Sequence, residues 1–300
     1  MPHIAEPALL LIPTFHKLVE LSIPVTANLG LLADCQARIL TLYITNRVEN
    51  EGLPSLPRLE KLAVINEIKR GRPFPKKGPW LNLSEHPTLA WLMLRNFRGI
   101  DLNKIIGPSN ATLTHFIGHD LYEGVNRFFS RIANSVESIV MKKGAFPENT
   151  KYEFPKLRSL ALIEAGVLDH EEYDSAVLPP CPQLERLHLV STDETGPIGA
   201  ILEAFVLAYG STLESIYATF DGDVANLQAL SPHAIGALAW CRRLRYLWID
   251  APNFFCPVGQ KIFGQTRPVT LKAVVSALPP PQATNRVESS ACHSRMNIST

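Results

Sequence analysis

A short apolar phrase recurs along the chain and constrains its fold more than any other feature. Large apolar residues occupy the first, fourth and sixth positions of the phrase, in the pattern Leu-x-x-Leu-x-Leu. The clearest copies begin at residues 59, 89, 157, 184 and 244, and weaker copies begin at 18, 39, 113, 136, 213 and 271. These eleven copies are candidates for one repeated structural unit.

The spacing of the phrase carries more weight than the number of copies. Three apolar positions match by chance about ten times in a chain of this length and apolar content. Random matches would cluster and leave long gaps, whereas the first positions here recur every 20 to 31 residues from residue 18 to residue 271. Regular recurrence indicates a repeat array, in which each unit buries its apolar positions against its neighbours.

The residues around the phrases indicate strands that alternate with helices. Four copies carry a proline two residues before the first leucine, at Pro57, Pro87, Pro155 and Pro182. We expect each proline to mark the start of a strand, where a missing N–H costs little. Between phrases, Ile198 to Tyr209 reads as an amphipathic helix closed by Gly210, and Ser231 and Pro232 read as the start of another.

These patterns predict an α/β solenoid. Its parallel strands would lie side by side in one curved sheet, with helices and loops on the convex side. We expect one irregular repeat domain over residues 1–278 and a flexible polar tail over residues 279–300, where a run of prolines ends the last apolar repeat.

The phrases CPQLERLHL and FPKLRSLAL, and the helix ending GSTLES, resemble the leucine-rich region of fungal F-box proteins over most of residues 15–278. In that family the repeats select a substrate, and an N-terminal F-box docks on the adaptor of a ubiquitin ligase. The resemblance implies a leucine-rich-repeat protein that binds a protein partner, with the ubiquitin-ligase adaptor as a further partner. The first repeat begins at Leu18, and no F-box is recognisable before it.

One position departs from the leucine-rich-repeat pattern. The Asn or Cys that usually follows the phrase is replaced by residues such as Glu67, Phe97 and Ala165. No ladder of side chains is therefore expected along the turns.

Charge and cysteine content argue against several kinds of partner and cofactor. With 29 Lys and Arg against 28 Asp and Glu, the net charge is +1, which gives no long-range attraction to nucleic acid or anionic lipid. The five cysteines are scattered without a Cys-x-x-Cys pair, which disfavours disulfides and structural zinc. No apolar run reaches the roughly 18 residues of a membrane span. We expect a cytoplasmic or nuclear protein without a cofactor or metal.

Residues that alternate with the buried strand positions should point outward. The middle outward positions are Ser22, Tyr43, Ala63, Met93, Ile117, Val140, Ala161, His188, Tyr217, Trp248 and Val275. This row is apolar and aromatic for a solvated surface, and aromatic and Arg side chains commonly anchor protein interfaces. We predict that a protein of unknown identity binds the concave face through Trp91, Met93, Arg95, His115, Arg186, His188, Tyr217, Tyr246 and Trp248. Coverage of these positions by irregular loops is the alternative.

A basic segment lies in the long connection between the phrases at 59 and 89. Its cations are Lys69, Arg70, Arg72, Lys76 and Lys77. The Arg-Gly-Arg-Pro core resembles an AT-hook, a segment that lies in the minor groove of A/T-rich DNA. DNA contact, a nuclear-import signal and a plain solvated loop remain open.

Motifs for catalysis and metal binding are sparse. His115 and His119 are four residues apart and precede Asp120, a spacing that could place two imidazoles on one side of a metal. The sequence has no Gly-rich phosphate loop, Gly-x-Ser-x-Gly elbow or zincin helix. We expect a protein that is not an enzyme. An enzyme or GTPase regulator on a repeat scaffold is the alternative, which a deep pocket with several perturbed titratable groups would indicate.

Overall fold

Parallel strands form one sheet whose spatial order follows the order of the chain. The computed structural model describes residues 18–25, 29–45, 52–68, 80–107, 112–144, 146, 152–164, 178–192, 198–221, 238 and 241–250. Within these residues the strands are β1 (Glu20–Val25), β2 (Ile39–Ile44), β3 (Lys61–Asn66), β4 (Trp91–Arg95), β5 (His115–Leu121), β6 (Ser138–Gly144), β7 (Ser159–Ile163), β8 (Arg186–Thr192), β9 (Ser215–Asp221) and β10 (Tyr246–Asp250). Each strand pairs in parallel with the next, from β1 to β10.

Short helices lie in the connections between these strands. They are α1 (Leu102–Ile105), α2 (Val125–Ile132) and α3 (Ile198–Tyr209), with 3-10 turns at Leu29–Leu32 and Leu83–Glu85. The bounds predicted for α3 are confirmed, and the Gly210 N–H donates to the Val206 carbonyl where the helix ends. The sheet and these helices together make an α/β fold.

Each of the ten phrases between residues 18 and 249 overlaps one strand. In β2, however, Leu40 and Leu42 pair with Leu62 and Val64 of β3. The second phrase therefore begins at residue 37, two residues before the predicted start, and Thr41 replaces Tyr43 in the middle outward row. A shift of two residues keeps the side chains from Thr41 to Ile44 on the faces expected for them, because strand side chains alternate with a period of two, but Ile39, predicted to open the phrase as a core residue, lies on the opposite face. Alternation from Thr41 to Ile44 therefore does not reveal this error.

Several sequence predictions concern residues outside the described ranges. They are the phrase at 271–276 with Val275, the helix start at Ser231 and Pro232, the basic segment at 69–77 and the tail at 279–300.

The core lies on one face of the sheet, where strand leucines meet residues of the connections. The predicted core positions Leu160, Leu187 and Leu247 are 1%, 2% and 9% exposed, which confirms their burial. Phenylalanines fill the space between β5 and α2, with ring centroids 4.8 Å apart for Phe116 and Phe128. Because strands and connections share one apolar cluster, the opposite face of the sheet is left to outward side chains.

The four prolines before the phrases lie in turns, and the prediction that they begin strands is wrong. The Leu59 N–H donates to the Leu56 carbonyl at 3.0 Å, which closes a β-turn with Pro57 as its second residue. The same bond recurs around Pro87, Pro155 and Pro182. Proline favours this position because its fixed φ matches the first central residue of a type I or II turn. The strands begin four residues after the prolines.

A pair of asparagines bridges two neighbouring strand ends. The Asn66 side-chain amide donates to the Asn96 carbonyl at 2.9 Å, and the Asn96 amide donates to the Asn66 carbonyl at 3.0 Å. The expectation that no side-chain ladder is present is thus wrong for β3 and β4. The asparagines lie one residue before the position at which the repeat pattern places them, so the pattern missed them.

Candidate functional site

The face of the sheet opposite the core, called the outer face below, presents three rows of side chains. Strand pairing aligns the middle row as Ser22, Thr41, Ala63, Met93, Ile117, Val140, Ala161, His188, Tyr217 and Trp248. All nine residues predicted to bind a partner lie on this face. Their burial differs. Tyr217 and Tyr246 are 39% and 57% exposed, whereas Trp91, Met93, His188 and Trp248 are half-buried among their neighbours.

An apolar groove lies on the outer face of β2, β3 and β4. It is a shallow groove, open to solvent, with a volume of about 490 Å³, and it is lined by Ile39, Leu40, Thr41, Tyr43, Lys61, Ala63, Ile65, Trp91 and Met93. Its walls are aliphatic and aromatic, and Lys61 is the charged residue among those that line it. Clefts of roughly 300–1,000 Å³ with apolar walls are typical of ligand sites. The groove therefore suits an apolar group that presents an acceptor to Lys61.

The sequence predictions found only part of this groove. They included Trp91 and Met93 as contact residues, but not Ile39 or Ile65, which stand on either side of the middle row. The signal for both is in the sequence, since each alternates with buried leucines or valines of its own strand. The sequence does not show how β2 and β3 pair, and it is this pairing that places Ile39 and Ile65 in one groove.

A basic patch lies beside the groove, in the third outer row of β4, β5 and β6. It consists of Arg95, His119 and Lys142, which strand pairing places on adjacent strands. Burial lowers the pKa of His119, while Asp120 opposes this shift and Arg95 and Lys142 reinforce it. The charges are thus close enough to influence one another. Among the described residues, neither Arg95 nor Lys142 has an ion-pair partner.

Two carboxylates lie at the strand ends next to this patch, one facing the imidazole of His119 and the other facing the ammonium of Lys143. The His119 imidazole lies 3.0 Å from the Asp120 carboxylate, and the Lys143 ammonium lies 3.3 Å from Glu164. Asp120, Lys143 and Glu164 all have positive φ, which turns the backbone away from the strand direction. Glu164 therefore has a cationic partner in Lys143, whereas the lowered pKa of His119 favours a neutral imidazole beside Asp120.

An aromatic ladder occupies the middle row at the other end of the sheet. Tyr217 lies edge-on to His188, with ring centroids 4.5 Å apart, and its ring stacks on Trp248 at 6.1 Å. Burial lowers the pKa of His188, which favours the neutral imidazole. His188 Nε2 and Trp248 Nε1 are buried and have no hydrogen-bond partner among the residues that the structure describes.

The geometry of β5 argues against a metal site at His115 and His119. Both point to the outer face, but four residues of extended strand separate them by about 13 Å. Zinc–nitrogen bonds are about 2 Å long, so one ion does not reach both rings. In the described ranges no cluster of three or more His, Cys, Asp or Glu is arranged to hold a metal.

The thiols in the described part of the chain are buried in the core. Cys35, Cys181 and Cys241 are free, and burial raises the pKa of each, to about 11 for Cys241. A thiol with a raised pKa is largely protonated at neutral pH and is a poor nucleophile. These cysteines therefore act as small apolar core residues.

Within the described residues, no helix has the length and apolar character needed to cross a membrane. Comparison with protein-family models, curated proteins and solved structures finds no match to this chain.

Proposed function

We propose that this chain is a leucine-rich-repeat solenoid that recognises a protein partner through the outer face of its sheet. The sequential parallel strands, each overlapping one apolar phrase, support the repeat architecture. In a solenoid of this kind the strands line the concave side, so the outer face would be the concave surface. Because the repeats resemble those of fungal F-box proteins, the proposed role is substrate recognition in the cytoplasm or nucleus, with a ubiquitin-ligase adaptor as a further partner.

The main support for this proposal is the concentration of large apolar side chains on the outer face, opposite the core. Trp91 and Met93 line a groove, and Tyr217 and Trp248 stack in a ladder, all at outward strand positions. Apolar area on a solvated surface is costly, and contiguous patches of it commonly mark interaction sites. Aromatic side chains are also enriched among residues that dominate binding energy.

Affinity capture from the native cell tests the proposal. We expect the full-length chain to retain proteins that the double variant Trp91→Ala/Met93→Ala loses, by about tenfold or more if the groove contains a hot spot worth roughly 1.4 kcal/mol or more. The captured proteins are identified by mass spectrometry, with the ubiquitin-ligase adaptor as one specific protein to look for.

Leu207→Ala is the matched control, because Leu207 is an exposed apolar residue on α3, outside the strands. Thermal melts establish that every variant is folded. Equal retention by the wild type, the groove variant and the control would show that recognition does not use the groove. A parallel capture with Tyr246→Ala tests the far end of the same face.

A further inference from the structure

The outer face carries more positive than negative side chains between β2 and β6. The alternating outer positions of these five strands carry three cations, Lys61, Arg95 and Lys142, and no Asp or Glu, while the carboxylate of Asp120 lies against the outward His119 ring at the end of β5. The whole chain is almost neutral, at net charge +1. The excess of positive charge on this part of the face is therefore local and does not follow from composition.

One of the three cations lies in the apolar groove, and the other two lie to one side of it. Lys61 lines the groove on β3, and Arg95 lies four residues beyond Trp91 on β4, about 13 Å along the strand. Lys142 lies two strands further, about 10 Å across the sheet. A ligand whose apolar group fills the groove beside Lys61 therefore reaches Arg95 and Lys142 with groups that lie about three to five extended residues away, at roughly 3.3 Å each.

The neighbouring carboxylates form no ion pair with Arg95 or Lys142 within the described ranges. Asp120 faces His119, and Glu164 faces Lys143. Arg95 and Lys142 are left without an ion-pair partner in the described part of the chain. Of the two, Arg95 is exposed and Lys142 is half-buried, so both need an acceptor from solvent or from a ligand.

Resting on the proposed function, we propose that the region between β2 and β6 binds an extended acidic segment of a partner protein. One large apolar side chain of that segment fills the groove, and carboxylates three to five residues away bind Arg95 and Lys142. Charge complementarity selects the acidic segment, since partner surfaces of opposite sign favour encounter and exclude like-charged competitors. The apolar groove favours a peptide over double-stranded nucleic acid, whose bases are stacked inside the duplex and leave a charged backbone with no apolar group to bury there.

The test uses a random library of short peptides displayed on phage and selected on the full chain at about 0.15 M ionic strength. We expect the selected peptides to combine a large apolar residue with Asp or Glu three to five positions away. The best peptide is then synthesised with a fluorophore, together with a version in which Asn and Gln replace its Asp and Glu. Binding is measured by fluorescence anisotropy.

The double variant Arg95→Ala/Lys142→Ala should weaken binding of the acidic peptide by about tenfold, which is about 1.4 kcal/mol. Its affinity for the Asn and Gln version should equal that of the wild type, because the lost charges have nothing to bind in that peptide. Arg127→Ala/Arg242→Ala is the matched control. It removes the same charge from two exposed arginines on α2 and before β10, and it should change neither affinity.

The remaining outcomes separate the two proposals. Peptides selected without acidic residues, but lost with Trp91→Ala, would overturn the acidic-segment proposal and leave groove recognition standing. Binding that is insensitive to every outer-face variant would overturn both. An oligonucleotide that displaces the peptide with equal affinity would show that the patch recognises a polyanion, which also overturns the assignment to a peptide.

Discussion

Tyr217 and Trp248 stack on neighbouring strands of the outer face, with ring planes inclined by only 6° and centroids 6.1 Å apart. Strand pairing places the two residues directly opposite each other in β9 and β10. His188 meets the other side of the Tyr217 ring edge-on. The three residues thus link β8, β9 and β10 on the face that the core leaves uncovered.

This ladder predicts that Tyr217→Ala destabilises the fold. From its outward position alone, Tyr217→Ala would be expected to change stability little. Each aromatic contact, however, contributes about 0.5–1.5 kcal/mol, so the loss of two should lower the free energy of unfolding by about 1–3 kcal/mol. Tyr217→Phe keeps both ring contacts and should cost far less. Urea unfolding measures both changes. Equal stability of Tyr217→Ala and the wild type would mean that the stacked rings contribute nothing to folding.

The core register predicts large losses from truncated leucines. Leu160→Ala, Leu187→Ala and Leu247→Ala should each lower the free energy of unfolding by about 2–5 kcal/mol, because each leaves a cavity among packed strands. Ser159→Ala, one residue before Leu160 and on the outer face, is the control and should change stability little. A loss below about 0.5 kcal/mol at any of the leucines would contradict the register.

The fifth phrase, which begins at Leu113, ends in Gly118, whereas the other phrases have a larger residue at this sixth position. The side chains around Gly118 explain why. A Cβ on Gly118 would lie 2.6 Å from Leu121 Cδ1 and 2.8 Å from Met141 Sδ. Gly118→Leu, which restores the repeat pattern, should therefore destabilise by about 1–3 kcal/mol through overpacking. Gly118→Leu combined with Met141→Ala should recover part of that loss. A stabilised Gly118→Leu variant would show that this space is open.

Stability should fall in mild acid because of buried histidines. His86 is fully buried, and its Nδ1 accepts the Leu56 N–H at 3.3 Å. Burial lowers the pKa of His86, so the unfolded chain takes up a proton near pH 6.5 while the folded chain does not. The contribution of His86 to stability is therefore complete above about pH 6.5 and is lost as the pH falls toward the lower folded pKa, by at most about 1.4 kcal/mol per pH unit.

Urea unfolding at a series of pH values measures this effect. His119 and His188 have pKa values lowered in the same direction, so His86→Asn should reduce the slope without removing it. Asparagine is chosen because its side-chain oxygen offers an acceptor close to the place of Nδ1. A slope that is unchanged in His86→Asn would mean that His86 is not among the groups that titrate on unfolding.

Local patterns were sufficient to predict much of this fold. The apolar phrases predicted the strands from β1 to β10 and the burial of Leu160 and Leu187, since residues that alternate within one strand must face opposite sides of a sheet. The helix from Ile198 to Tyr209 was readable for the same reason, because its apolar pattern and its terminal glycine are all within a few residues of one another.

Only the tertiary structure decided what lies next to what across the sheet. Pairing between strands that are 20 or more residues apart in sequence determines three features. They are the register of β2, the groove lined by Tyr43, Ile65 and Trp91, and the basic patch that contains Arg95 and Lys142. A period of two specifies a face, but it does not specify which residue of the neighbouring strand stands opposite. The outward residues were therefore predictable one strand at a time, whereas the groove, the basic patch and the aromatic ladder arise only when the strands are aligned.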